Sequence, residues 1–388
     1  MFDFSFFDEV HDRTQSSAIK YKNLPDAENT PVIPMWIADM DFKSAPAITE
    51  ALKRTAEHGI YGYGDTDDEY YKLLIDWYSH RMGWKIEKEE ILTMPGVMFG
   101  VTMAIRALTK ENDAVLICQP VYYPFKNVVV NNNRKLVVNE LVLNNGRYEI
   151  DFNDFEEKIM KENVKVFLFC SPHNPVARVW EKEELEKIAE ICLKHNVYII
   201  SDEIHSDFIF AGSKHTPIST LSKEVKMKTV TCVAPSKTFN IAGLQASHII
   251  ISDSELREKI LKERLATCYH ELNIMSIEAV KAAYKESEEW LMGFLKYIQR
   301  NAEILKDAFP EDCKITAINM EGTYLAWLDC RKLNLSAEEL GDLFLKKAGV
   351  WLHNGATFGE CGKGFMRMNI ACPTSVLEEA ISRIKSVL

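Results

Sequence analysis

Between about residue 46 and residue 280, short apolar runs alternate with stretches in which apolar positions recur at helical spacing. Residues 164–169 read as a buried strand, and after a loop Leu185, Ile188, Ala189 and Cys192 fall at i, i+3, i+4 and i+7, on one face of a helix. Residues 197–200 form the next strand, with further strands at 114–118 and 229–233 and a helix at 97–108. Strands alternating with helices predict an α/β domain with a mainly parallel sheet covered on both faces. Farther on, 277–309 is a long Pro-free helical stretch, and 323–328 and 365–370 read as strands around a helix at 336–348. Ser336 with Glu339 three residues later fits a capping box at the start of that helix. Residues 1–45 lack sustained periodicity and carry Pro25, Pro31 and Pro34, the pattern of an arm lying over the body. The expected division is therefore an arm (1–45) contributing to the small domain, a large domain (46–280) and a small α+β domain (281–388).

Composition narrows the function classes. The 388 residues carry 46 Lys and Arg against 57 Asp and Glu, and a net charge of -11 repels a phosphate backbone, so nucleic acid is not an expected partner. The nine cysteines are odd in number, include no C-x-x-C pair and mostly sit in apolar runs, which reads as reduced core thiols of a cytosolic protein. The N-terminus is acidic, and no apolar run approaches the ~18 residues of a membrane helix, so neither secretion nor a membrane span is expected.

In open α/β sheets, ligands collect at the carboxyl ends of the strands. Four such places stand out: Ser171-Pro172-His173-Asn174 after the strand at 164–169, Ser201-Asp202-Glu203-Ile204-His205 after 197–200, Ser236-Lys237 after 229–233, and Met94-Pro95-Gly96 before the helix at 97. An amine, a carboxylate, an amide and a helix N-terminus thus converge on one sheet edge. That set suits pyridoxal phosphate: a lysine to hold it covalently, an acid beside the pyridine nitrogen, and backbone N–H groups for the phosphate. Nucleotide motifs are incomplete, since Gly362-Lys363-Gly364 lacks the rest of a P-loop, and no histidine spacing suggests a metal.

Over nearly its whole length the chain resembles the fold-type I aminotransferases, and specifically their cystathionine β-lyase-like branch, the MalY/PatB group. The resemblance is carried by residues 34–42 (PMWIADMDF), 59–64 (GIYGYG), 201–205, 236–244, 322–329 (GTYLAWLD) and 367–373 (RMNIACP). It implies a large domain with a mainly parallel, seven-stranded type of sheet and a smaller α+β domain. It further implies that Lys237 binds the cofactor and moves the substrate Cα proton, that Asp202 pairs with the pyridine nitrogen, and that Asn174 bonds the phenolic oxygen. Tyr123 matches the aromatic that stacks on the ring, with Tyr122 beside it as the other candidate. The resemblance likewise implies that the phosphate falls to Gly96, the N–H groups of Val97 and Met98, Ser236, and Tyr63 from a second subunit of a homodimer, and that Arg367, Ala38 and Tyr63 face the substrate, Arg367 gripping its carboxylate.

The sequence departs from many aminotransferases at several points. Gln245 replaces an arginine on the phosphate, Ala234 a frequent serine, Val176-Ala177 the usual Thr-Gly, and His205 stands in place of a tyrosine facing the ring oxygen. The resemblance implies α,β-elimination from cystathionine or a related cysteine S-conjugate, giving a thiol, pyruvate and ammonia. An aminotransferase on the same scaffold, or a regulatory protein retaining the cofactor with low turnover, are the competing expectations.

Overall fold

The computed structural model describes residues 2–28 and 30–388. Its centre is a seven-stranded sheet in the order Ile91–Met94, Ser247–Ile250, Thr229–Val233, Tyr198–Asp202, Val166–Cys170, Ala114–Gln119 and Lys135–Glu140. Ser247–Ile250 runs antiparallel to both its neighbours, and every other pair is parallel. Every residue of Val166–Cys170 is buried because helices cover both faces, which is why the sequence there is a continuous apolar run. Alternate residues serve opposite sides: Phe167 and Phe169 pack with Phe155, Trp180 and Leu185, while Val166 and Leu168 pack with Val101, Phe125 and Ile260.

A second sheet, ordered Thr316–Ala317, Leu325–Asp329, Phe365–Asn369 and His353–Asn354, is antiparallel throughout. The N-terminal arm is joined to this part of the chain, for Ile33–Pro34 pairs in parallel with Val350–Trp351. Phe7, fully buried, anchors the arm's start among Phe42, Trp290, Phe294 and Tyr297.

Two helical expectations are modified. The stretch at 277–309 is two helices, Ile274–Glu286 and Glu288–Ala308, parted at Ser287, whose hydroxyl donates to the Ala282 carbonyl at 3.1 Å and so competes with the backbone ladder. The helix expected at 336–348 is α-helical only over Ala337–Asp342 and then widens into an i→i+5 turn at Leu343–Lys347. That turn holds Leu340, Phe344 and Ala348, spaced by four, on one buried face.

Candidate active site

Asp202 is the last residue of its strand and only 4% exposed. Its Oδ1 accepts a bond from the Ile204 N–H at 3.1 Å, yet burial, with Glu203 adding repulsion, pushes its carboxyl up to about 7. One strand over, Pro235 at the first helical position opens the short helix Pro235–Thr238 and brings Lys237 to the same sheet edge. Burial pulls the Lys237 ammonium down to about 8, and its Nζ donates to the Ala38 carbonyl at 2.5 Å. Both groups are thus biased toward their neutral forms by lack of water, which favours a ligand that brings opposing charge.

Asn174 lies in the loop after Val166–Cys170. That loop is closed by the His173 N–H donating to the Arg178 carbonyl at 2.8 Å, and the buried Arg178 guanidinium is fixed by Glu321 at 2.9 Å and Glu184 at 2.5 Å. Asn174 Oδ1 accepts from Arg367 at 3.1 Å, so its amide N–H groups remain available as donors. Arg367 comes from the second sheet, where it registers with Trp327 and His353, and also donates to the Trp36 carbonyl at 2.7 Å. It is 2% exposed, and its Nε has no acceptor among the described residues.

These groups surround one cavity of ≈ 300 Å³. Its lining includes Ala38, Gly96, Val97, Met98, Tyr123, Asn174, Asp202, His205, Ser236, Lys237 and Arg367, every residue expected to bind cofactor or substrate except Tyr63. Tyr63 is fully exposed and lies beside Cys268–Asn273, in a different pocket. The two adjacent tyrosines divide. Tyr122 feels the charges of Asp202 and Arg367 and is pushed up to about 12 by burial, whereas Tyr123 is 38% exposed and packs against His353 and Phe358 at 5.6 and 6.4 Å. His205 is held to about 3, and so neutral, by burial and by the Lys237 and Arg367 charges; Tyr324 and Phe208 pack on its ring. Trp36 and His353 also line the cavity. Periodicity could not have found His353, which sits on a two-residue strand, whereas Trp36 stood inside the 34–42 motif.

The donor set fits pyridoxal phosphate carrying an amino acid. Val97 and Met98 open the helix Val97–Leu108, where first-turn N–H groups lack intrahelical acceptors, and no atom lies within 4 Å of where a Gly96 Cβ would stand. The unpartnered Nε of Arg367 and Nδ1 of His205 are buried polar atoms awaiting partners. Gln245 is exposed and outside the cavity lining. Ala177 keeps φ at 55°, the left-handed conformation that the usual glycine would adopt freely.

Residues 30–384 match the family model described as aminotransferase class I and II. Cystathionine β-lyase PatB of Bacillus subtilis is 40% identical over 98% of this chain and 99% of its own. Among solved structures, cystalysin of Treponema denticola, which contains pyridoxal 5'-phosphate, is 39% identical with a TM-score of 0.95 over 98% of each chain. The C–S lyase of Staphylococcus hominis, bound to the same cofactor, is 32% identical with a TM-score of 0.90, covering 98% of this chain and 97% of its own. With its seven-stranded sheet, cavity-lining lysine and near full-length matches, the chain belongs to the class I and II aminotransferase family.

Proposed function

We propose that the protein is a pyridoxal-phosphate-dependent carbon–sulfur β-lyase that takes L-cystathionine or a related cysteine S-conjugate, consumes one water, and releases a thiol, pyruvate and ammonia. The observation that carries the reading is a partly buried Lys237 amine that shares one cavity with the buried Asp202 carboxylate and Arg367 guanidinium. The cystathionine β-lyase and C–S lyase identities of the relatives support this reaction class.

Bound pyridoxal phosphate supplies an electron sink that makes the substrate Cα–H acidic and lets a thiolate leave Cβ. Arg367 holds the substrate carboxylate, its free Nε adding a donor, and so fixes which Cα bond faces Lys237. Lys237 would hold the cofactor and, when not engaged with it, would take the Cα proton at Nζ, a task eased by the burial that pulls its ammonium down to about 8. Asp202 would hold the proton on the pyridine nitrogen, and the Asn174 amide would donate to the phenolic oxygen. The first-turn N–H groups at Val97 and Met98, with Ser236, receive the phosphate. Of the two tyrosines we assign ring stacking to Tyr122, because it lines the cavity and is the less exposed, whereas Tyr123 is 38% exposed and turned against His353 and Phe358. His205 stays a neutral imidazole in the cavity wall.

We further propose a homodimer in which Tyr63 reaches the partner's phosphate, supported by its full exposure and by the exposed Ile60 and Tyr61 around it. Nine unpaired cysteines, six of them buried, fit a reducing cytosol. Pyruvate release from cystathionine with no keto acid present is the deciding assay. If the best transamination kcat/KM, with 2-oxoglutarate or pyruvate as acceptor, exceeds the best elimination value, the aminotransferase reading replaces this one.

A further inference from the structure

Residues 36–42 belong to no sheet, yet their carbonyls are almost all held by fixed side chains. The Trp36 carbonyl accepts from Arg367 at 2.7 Å, and the Ile37 and Asp39 carbonyls accept from Asn369 at 2.7 and 2.8 Å. Lys20 also donates to the Asp39 carbonyl at 3.0 Å, and the Met40 carbonyl accepts from Arg13 at 2.9 Å and Asn240 at 3.1 Å. The Ala38 carbonyl is left for the Lys237 amine at 2.5 Å, with the Tyr324 hydroxyl at 3.4 Å.

The side chains of this segment are clamped from the N-terminal arm. Arg13 donates to both oxygens of Asp39 at 3.0 and 2.9 Å and to Asp41 at 2.8 Å, while Lys20 and Tyr21 bond Asp41 at 2.6 and 3.1 Å. Lys20 is 1% exposed and Asp41 7%, so that end of the ionic cluster is sheltered from solvent screening, while Arg13 and Asp39 are partly exposed, at 20 and 25% of their side chains. A second cavity, of ≈ 530 Å³, is lined by Arg13, Asp39 and Lys237, so the amine forms part of the wall between this space and the catalytic cavity.

We propose that the N-terminal arm holds the Lys237 amine in register for proton transfer, with Arg13 and Asp39 as the positioning residues. The inference rests on the lyase reading, in which Lys237 must be neutral to accept the Cα proton. The charged groups facing Lys237 are Asp39 and Asp202, which favour its ammonium form, and Arg367, which opposes it. His205 is neutral. Arg13 neutralises Asp39, so the carboxylate can order the segment without fixing the amine as a cation.

The two residues therefore act with opposite sign, and the cofactor-free protein reads this directly. Lys237 would be modified with trinitrobenzenesulfonate across pH and the label quantified by peptide mapping. Asp39→Asn should lower the inflection by about one pH unit and Arg13→Gln should raise it by a similar amount. Arg13→Lys, which keeps the cation, should return the inflection toward the parental value. If one variant does not fold, the other still decides. Unchanged inflections in the folded variants, or shifts of the same sign, overturn the proposal. A wrong lyase assignment would instead appear as absent pyruvate from the parent enzyme, with the inflection shifts intact.

Discussion

Asp202 is an acid whose folded-state affinity for protons is raised, which makes it a pH-dependent liability until a cation sits beside it. Below its ordinary value of 3.8 both folded and unfolded chains hold the proton; as pH rises toward about 7 the unfolded chain releases it first, so the folded state loses relative stability across that window. Lys237 acts in the opposite direction, regaining stability only as pH climbs from about 8 toward 10.5. In the cofactor-free protein, Asp202→Asn should therefore gain thermal stability relative to the parent between about pH 5 and pH 7. Parallel melting curves across that range would contradict the assignment. In the loaded enzyme the same substitution should retain cofactor but lower kcat by roughly 100-fold or more, since an amide cannot hold the pyridinium proton. Near-parental kcat would remove Asp202 from that role. Lys237→Ala should abolish turnover and, after borohydride reduction, leave no cofactor-labelled peptide around position 237. A label mapped to another lysine would move the assignment. The sequence made these two residues legible because each follows a strong apolar strand, whereas Tyr122 and Tyr123 differ only in which way a loop turns them, a difference set by His353 and Phe358 far along the chain.

At the level of elements, strands buried on both faces could be read directly: Thr229–Val233 matches its expected bounds, and 164–169 and 197–200 are shifted by one or two residues toward their carboxyl ends. Caps were equally legible. The Ser336 hydroxyl accepts from the Glu339 N–H at 3.2 Å, and the Glu339 carboxylate accepts from the Ser336 N–H at 2.8 Å. Ser336→Ala should cost about 1 kcal/mol of unfolding free energy, read by urea denaturation, and a loss below about 0.3 kcal/mol would mean that the wider turn following Asp342 already dominates that helix. Elements stabilised only by tertiary pairing left no such trace. Ile33–Pro34, Val350–Trp351 and His353–Asn354 are two residues each, too short for any period, and the last of them supplies His353 to the cavity lining. The break at Ser287 was hidden for a related reason, because apolar spacing continues through it while a hydroxyl takes over one backbone acceptor.

For the whole molecule, the exposed Tyr63 and the complete cavity elsewhere make a complementation experiment decisive. Lys237→Ala and Tyr63→Ala chains, each expected to be severely impaired, should after subunit exchange regain about a quarter of parental activity, since half the dimers are mixed and each has one intact site. No recovery after verified exchange would place Tyr63 in the service of its own chain. The pairing of Ile33–Pro34 with Val350–Trp351 carries a different consequence, one of chronology. The ribosome makes the arm first, but its strand partner emerges about 300 residues later, and closing so long a loop is slow. Until then Ala38 has no fixed place, and Arg367 has not yet been synthesised when Lys237 leaves the exit tunnel. A nascent chain can thus build most of its large sheet while lacking a finished reaction chamber, so a ribosome-stalled chain ending before residue 350 should gain sheet structure without gaining turnover.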